Sequence, residues 1–305
     1  MNNKKITVVI CTYNRANLLK ISLQSLVEQT LDQSNFDVLV IDNNSNDITK
    51  EVVNMFKSLL PLKYVFEPTQ GLSHARNRAI KEVKSEYIAY IDDDSKGKKN
   101  WLMTASKIID DKNPDIFGGP YYPYYINKKK WFLDKYEIRE ASKNDKFLDK
   151  YEFLSGSNIF FKKDIFEKIG IFDVNLGMKG NNIGLGEETQ LQVIANKLGI
   201  NRYYCSDLII YNLVPDFKMD LKYVSRRYFM AGLVSNIVTG YKSTNFLKSL
   251  IIFIFYSIKT FSFLFFIFFR NKKKYKYWQN YFFEKILPYC GVVGNMCSYF
   301  VIKNK

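Results

Sequence analysis

The sequence predicts an α/β fold: a mostly parallel sheet flanked by helices, followed by a C-terminal helical, partly membrane-associated region. Three observations carry this. Apolar, β-branched runs alternate with stretches of helical periodicity over residues 6–94, the signature of βαβ units. The runs ending near Ile10, Ile41 and Ile91 are each followed by a polar cluster, and ligands of parallel sheets bind outside the carboxyl ends of strands. Beyond about residue 215 this alternation gives way to long apolar and aromatic stretches. The expected division is therefore 1–215 and 216–305.

Taken in order, residues 6–11 read as a first buried strand and Thr12-Tyr13-Asn14-Arg15 as a polar turn. Leu18, Leu19, Ser22, Leu23 and Leu26 then recur at helical spacing. Residues 36–41 form a second strand ending in Asp42-Asn43-Asn44, and helical spacing returns over 48–59. A third strand at 62–66 follows Pro61. A helix opens at Gly71, and the fourth strand, 87–91, stops at three carboxylates. Residues 101–109 look helical and 115–119 strand-like. Residues 120–152, dense in Tyr, Trp and Lys without a period, are either a mobile loop over a site or a surface meander. Ser155-Gly156-Ser157-Asn158 precedes a return to strand-like residues. A glycine-rich stretch at 177–186 leads through Glu187-Glu188 into another helix, and 222–239 reads as helix. No internal repeat, Walker-type loop or GxGxxG is present.

Composition narrows the classes. An apolar fraction of 47% in 305 residues supports a full core and argues against wholesale disorder. The balance of 45 Lys and Arg against 30 Asp and Glu gives a net charge of +15, which suits an anionic partner or reflects an AT-rich coding sequence. Four scattered cysteines and one histidine do not make a zinc site. The first apolar run is too short for a signal-peptide core, so a reducing cytoplasmic compartment is expected.

The candidate chemistry begins at Asp92-Asp93-Asp94. Carboxylates this close repel unless a cation is present, and a hard divalent ion with oxygen ligands answers that need. Alternation at a strand end puts Asp92 and Asp94 on one side and turns Asp93 away. Capping of the following segment is the competing explanation. Asp42 either reaches a base or ribose at the sheet edge or, like Asp47, caps a turn. Arg76 and Arg78 at a helix start suit phosphate or a surface ion pair. His74 is a conceivable base or a packing residue. Glu187 and Glu188 either complement a helix dipole or remove a proton from an attacking hydroxyl.

As an ordered set these motifs are more specific than any one of them. With Val8-Val9-Ile10-Cys11-Thr12-Tyr13-Asn14-Arg15, Val40-Ile41-Asp42-Asn43-Asn44-Ser45, Gly71-Leu72-Ser73-His74-Ala75-Arg76-Asn77, Ile91-Asp92-Asp93-Asp94 and Gly186-Glu187-Glu188, the chain resembles the inverting family 2 glycosyltransferases of GT-A (Rossmann-like) fold, to about residue 215. The resemblance implies a nucleotide-sugar donor and a divalent metal, Mn²⁺ or Mg²⁺. It implies that Thr12, Tyr13 and Arg15 line the nucleotide pocket, that Asp42, with Asn44 beside it, contacts the base, and that Arg76 and Asn77 lie near base or diphosphate. Asp92 and Asp94 would form the DxD pair, Asp94 on the metal and Asp92 towards the ribose, with Asp93 grouped among the donor-binding residues. Ser155, Gly156 and Asn158 would border the acceptor. The family usually has Glu-Asp where this chain has Glu187-Glu188. Glu188 stands at the base position, and Glu187 is the alternative. The implied reaction is a single in-line displacement onto a hydroxyl of a glycan or lipid-linked glycan.

Residues 249–269 are almost continuously apolar, with Lys259 near the middle and Arg270-Asn271-Lys272-Lys273-Lys274 after them. The run is long enough to span a bilayer, for which roughly 20 residues are needed. A central lysine and the flanking charges instead suit an in-plane or re-entrant helix at an anionic membrane surface, hence a peripheral location at the inner face of the cell membrane. A buried core or dimer helix is the alternative. A weaker apolar patch at 286–302 is interrupted by Pro288, Gly291 and Gly294. Two other function classes compete: a catalytically inactive nucleotide-sugar-binding scaffold at the membrane, and a nucleic-acid binder. The second lacks the usual motifs, so no nucleic-acid partner is expected. A processive synthase would need several spans.

Overall fold

The computed structural model describes residues 4–239, 250–255, 257–258 and 274–302. The chain forms two compact units. The first comprises Met1–Tyr124, Ile138–Asn182 and Glu187–Leu213, and the second Tyr125–Glu137, Ile183–Gly186 and Val214–Lys305.

In the first unit the order is β1 (Ile6–Thr12), α1 (Ala16–Val27), β2 (Phe36–Asp42), α2 (Thr49–Phe56), β3 (Leu62–Phe66), α3 (Leu72–Glu82), β4 (Tyr87–Ile91), β5 (Ser95–Gly97) and α4 (Trp101–Lys112). There follow β6 (Ile116–Gly118), β7 (Tyr121–Tyr124), β8 (Lys146–Phe147), β9 (Asn158–Lys162), α5 (Phe166–Ile169), α6 (Glu187–Lys197), β10 (Arg202–Tyr204) and β11 (Ile210–Leu213). Eight strands make one sheet in the order β3-β2-β1-β4-β9-β6-β10-β8. The first four are mutually parallel, so their polar carboxyl ends share one edge. Strand β9 runs antiparallel to both β4 and β6, which makes the sheet mixed. A second sheet, β5-β11-β7, follows the Asp92–94 turn.

Alternation along the strands fills both faces. Val8 and Ile10 pack with Leu19, Leu23, Val52, Phe56, Trp101 and Ala105 from α1, α2 and α4. Val9, Leu39, Ile41 and Ile88 pack on the other side with Ala75 and Ala79 of α3 and Leu191 of α6. A sheet covered on both faces explains why these strands read as continuous apolar runs.

The second unit gathers around Phe132, Val214, Met219, Val224, Phe283 and Leu287. Residues 125–137 join this aromatic cluster and Gly186 lies against Val234 and Val238, so both 125–137 and 183–186 belong to the second unit, and the division is not the single cut at 215 that composition suggests. Helix α7 (Leu221–Thr239) packs on a C-terminal helix, Leu287–Ile302. Pro288 and the two glycines do not break that helix. Proline removes a donor and crowds the carbonyl four residues back, and a π-helical turn, Phe282–Ile286, lies directly before it. The run 249–269 lies outside the described residues except for 250–255 and 257–258, which are helical. Among the described residues, no helix is long and apolar enough to cross a membrane.

Candidate active site

The loops after β1 and β2 are stitched into one floor. Asn14 adopts a left-handed conformation (φ 52°), its N–H donates to Ser45 Oγ (2.9 Å), and its Oδ1 accepts from Asn46 N–H (2.8 Å). Asp47 accepts from the N–H groups of Ala16 and Thr49 and so caps the starts of α1 and α2. Both Asp42 oxygens are engaged, one by Tyr64 OH (2.7 Å) and the other by Ser45 N–H (2.9 Å). Asn43, which sequence reasoning did not single out, accepts from Gly71 N–H (2.7 Å) and donates to Thr69 O, tying this floor to the entrance of α3. Asn44 is exposed and left-handed (φ 67°), and Tyr13 is half-buried at the end of β1.

The three aspartates do not follow the strand alternation. The strand stops at Ile91 and the chain turns at once, Ser95 N–H donating to Asp92 O, so i and i+2 need not share a side. Asp93 is buried and accepts from Thr12 Oγ1 (2.8 Å) and Arg15 Nη1 (3.1 Å). The same Arg15 nitrogen stands 3.6 Å from Asp94 Oδ2. Asp92 is half-buried, the most accessible of the three, and leans towards Arg76 Nη2 (3.8 Å). The observed pairing is thus Asp93 with Asp94 on Arg15, and Asp92 on Arg76. Burial, with the neighbouring Asp94 charge, pushes the Asp93 carboxyl up to about 6 against the pull of Arg15. Cys11 lies nearby as a neutral thiol, its pKa raised to about 12 by burial, and has no thiolate to offer at neutral pH.

Arg76 is the hub. It lies on α3, buried, with its guanidinium over the Tyr90 and Phe172 rings. Nη1 donates to Glu187 Oε1 (2.8 Å) and Nη2 to Gly156 O (3.2 Å). One residue therefore joins the Asp92 turn, the Gly156 turn and the start of α6. Burial is the largest influence on Glu187. Together with the Glu188 charge it lifts Glu187 to about 8, opposed by Arg76. Glu188 is only half-buried. A Cβ at position 156 would stand 3.0 Å from Glu188 Cγ and 3.1 Å from Arg76 Nη2, so the glycine there makes room for both side chains.

Two expected site residues turn inward. Asn77 exchanges hydrogen bonds with the Phe172 backbone (2.8 and 2.9 Å). Asn158 is fully buried: it donates to Pro120 O and Leu208 O and accepts from Trp101 Nε1, so both amide protons are spent on the core. Ser155 is half-buried beside Ser157, their hydroxyls 3.0 Å apart.

Residues 7–170 match the model of the family described as Glycosyl transferase family 2. The chain belongs to that family. It is 28% identical over 173 residues to glycosyltransferase AglE of Haloferax volcanii, a match covering 56% of the chain and 57% of AglE. Over 211 residues it is 26% identical to the glucosyl-dolichyl phosphate glucuronosyltransferase of the same organism, covering 63% of the chain and 67% of that protein. The chain thus spans little more than half the length of AglE. Among solved structures, TarS 1–349 of S. aureus in complex with UDP-GlcNAc superposes with a TM-score of 0.58 at 17% identity, covering 97% of this chain and 92% of that one. The mannosyltransferase PcManGT of Pyrobaculum calidifontis, in complex with GDP-Man and Mn²⁺, gives 0.56 at 20% identity, over 76% and 63% of the two chains. These likenesses are in fold, and the fold is GT-A.

In this family 2 glycosyltransferase the small sheet supplies residues that the motifs do not mark. Leu213 N–H donates to Asp94 O (2.9 Å), and Leu213 is in register with Tyr124, so Asp94, Leu213 and Tyr124 form one row across the sheet. The Tyr124 hydroxyl is buried without a partner among the described residues. Burial and the Asp94 charge raise its pKa to about 12. Lys96, two residues after Asp94, holds its ammonium 4.2 Å above the Tyr124 ring. The period-2 rule applied from Asp94 points to Lys96, whereas nothing in the aperiodic 120–152 stretch marks Tyr124. Among the described residues, no three His, Cys, Asp or Glu side chains form a metal cluster. Two acidic oxygen donors and an orphaned hydroxyl beside Asp94 do fit a hard divalent ion that completes its shell with diphosphate oxygens and water.

Proposed function

We propose that this glycosyltransferase moves a sugar from a nucleotide-sugar donor, most simply a UDP-sugar, to a hydroxyl of a glycan or lipid-linked glycan, with inversion, in surface polysaccharide synthesis. One observation carries the base assignment. Arg76 engages Glu187, and Glu188 is left half-buried against Gly156. Of the two glutamates, Glu188 is therefore the one free to meet an acceptor.

The roles follow from position. The floor of Thr12, Tyr13, Asp42 and Asn44 receives the nucleoside. The diphosphate lies over the Asp92–94 turn, within reach of Lys96 and the Tyr124 hydroxyl. Mn²⁺ or Mg²⁺ held by Asp94 and Asp92 would neutralise charge on the departing diphosphate. Glu188 accepts the proton of the acceptor hydroxyl as its oxygen attacks the anomeric carbon. The bond to the diphosphate oxygen breaks on the opposite face, and the nucleoside diphosphate leaves with the electron pair. What the site supplies to this step is proximity of the carboxylate to the attacking hydroxyl. UDP-GlcNAc in TarS and GDP-Man with Mn²⁺ in PcManGT support the donor class. The +15 charge and the 249–269 run support contact with the inner face of the cell membrane.

A panel of UDP-, GDP- and dTDP-sugars with Mn²⁺ or Mg²⁺, read by release of nucleoside diphosphate, tests this reading. One donor should give metal-dependent release that EDTA abolishes. Silence across the whole panel would refute it.

A further inference from the structure

In the second unit, residues 130–135 and 274–284 enclose an open cavity of about 580 Å³. Lys130, Lys135, Lys274 and Lys276 line it, against one carboxylate, Glu284. That carboxylate is already taken: Lys135 Nζ (2.5 Å) and the Tyr275 hydroxyl (2.9 Å) both donate to it. Among the described residues Lys135 is the cavity lysine in ion-pair contact with Glu284, and Lys274 acts on that carboxylate only through its charge. Two of the lysines lie over neighbouring rings, Lys274 over Tyr275 (5.7 Å) and Lys276 over Tyr277 (5.6 Å).

The two walls are fixed to each other. Asn280 donates to Trp131 O (2.5 Å) and to the Tyr136 hydroxyl (3.0 Å), and the Tyr136 ring stacks on Phe283 at 4.3 Å. The lysines are thus presented by a built wall rather than by a loose tail. Ammonium groups gathered in a concavity repel one another, and a multiply charged anion relieves that repulsion. A phosphate suits the space, having both the charge and several acceptor oxygens. Sequence indicates its source. The apolar run 249–269, whose single charge is Lys259, leads through Arg270, Lys272 and Lys273 directly into the lysines of the cavity. Cations immediately following apolar chain sit at the level of lipid headgroups.

We propose that this cavity binds the phosphate headgroup of an anionic lipid. The inference rests on the membrane contact put forward above and is independent of the glycosyl-transfer chemistry.

Sedimentation of the full chain with phosphatidylcholine vesicles, with and without phosphatidylglycerol, tests it. The wild type should sediment with the anionic vesicles only, and Lys130→Gln/Lys276→Gln should bind them about tenfold more weakly. Lys20→Gln/Lys50→Gln removes the same charge from exposed positions on α1 and α2 and should stay within about twofold of the wild type. Release of nucleoside diphosphate without vesicles should be unchanged in both variants, which separates failure here from failure of the donor chemistry. The proposal is overturned if the wild type ignores anionic vesicles, if both double variants weaken equally, or if inorganic pyrophosphate binds the cavity while vesicles do not.

Discussion

Arg76 meets Glu187 at 2.8 Å with both side chains almost wholly buried (4% and 6% exposed), and this contact sets apart two adjacent glutamates that are chemically alike. It fixes Glu187 as the partner of the hub, and the proposed mechanism therefore gives the role of base to Glu188. Glu188→Gln should therefore lower kcat by about 10²–10⁴-fold with little change in stability, as expected for loss of a general base. Glu187→Gln should keep turnover within about tenfold of wild type, because the base remains. Arg76→Ala removes the guanidinium from a buried network and should cost about 3–5 kcal/mol of stability. Nucleoside diphosphate release and denaturant unfolding measure these effects. Equal loss of turnover in the two glutamate variants would overturn the assignment.

The same pair gives stability a pH dependence of definite sign. Burial, then the Glu188 charge, lifts Glu187 from 4.5 to about 8 against the pull of Arg76. The native state keeps a proton that the unfolded chain gives up in this window, so the contribution of this site falls as pH rises from 4.5 to 8. A single proton accounts for at most about 1.4 kcal/mol per pH unit. Glu187→Gln resembles the protonated form. It should match the wild type near the lower end of the window and lose less stability towards the upper end, as urea midpoints across the range would show.

The sequence exposes those parts of the fold whose signals are local and repeated. Strands β1 to β4 and the helices between them show period and length, and β3 and β4 begin and end where the pattern says. Strands β5, β7, β8, β10 and β11 have two to four residues each, too few to display a period. The candidate site was legible as a set of motifs but not as a wiring diagram. Asp93 and Asp94 share Arg15 because the chain turns after Ile91, a break that no alternation rule contains. Asn158 reads like an acceptor residue, yet it is held by Trp101, Pro120 and Leu208, partners 38 to 57 residues away. The choice between Glu187 and Glu188 depends on an arginine 111 residues earlier.

Gly156 offers a test of how tightly the base is placed. In Gly156→Ala the new methyl would press on Glu188 Cγ (3.0 Å) and Cδ (3.1 Å) as well as on Arg76. The glutamate must move by a few tenths of an ångström. Turnover should fall about tenfold, since displacements below 1 Å already cost catalysis, while nucleotide affinity is preserved. Affinity falling together with turnover would mean that the Gly156 turn serves the donor instead.

In the second unit two neighbouring glycines should behave in opposite ways. A Cβ at Gly294 would stand 1.9 Å from Phe229 O, in the backbone of α7, which cannot yield without separating the helices. Gly294→Ala should destabilise the protein by about 1–3 kcal/mol or more. At Gly291 the nearest atom is Tyr228 O at 3.5 Å, an ordinary contact. Gly291→Ala should be tolerated or stabilising by up to about 1 kcal/mol, through helix propensity alone. Thermal unfolding of the two variants checks the packing of this helix pair, and similar behaviour of both would contradict it.

Lys96 and Tyr124 are assigned to the diphosphate rather than to the nucleoside, and ligand choice distinguishes the two. Among the described residues the Tyr124 hydroxyl is buried and unpartnered in the row that contains Asp94, and an unmet hydroxyl of this kind costs about 1–3 kcal/mol until something accepts its proton. The Lys96 ammonium lies above the same ring. If both meet the phosphate furthest from the nucleoside, Lys96→Gln and Tyr124→Phe should weaken binding of a nucleoside diphosphate about tenfold each and leave the monophosphate unaffected. Contacts to the nucleoside would instead weaken both ligands alike. Calorimetric titration with the two nucleotides reads the difference without requiring turnover. Because Tyr124→Phe removes a buried hydroxyl that has no partner among the described residues, the variant should unfold no more easily than the wild type, so a loss of affinity in it would belong to the missing contact and not to a loosened sheet.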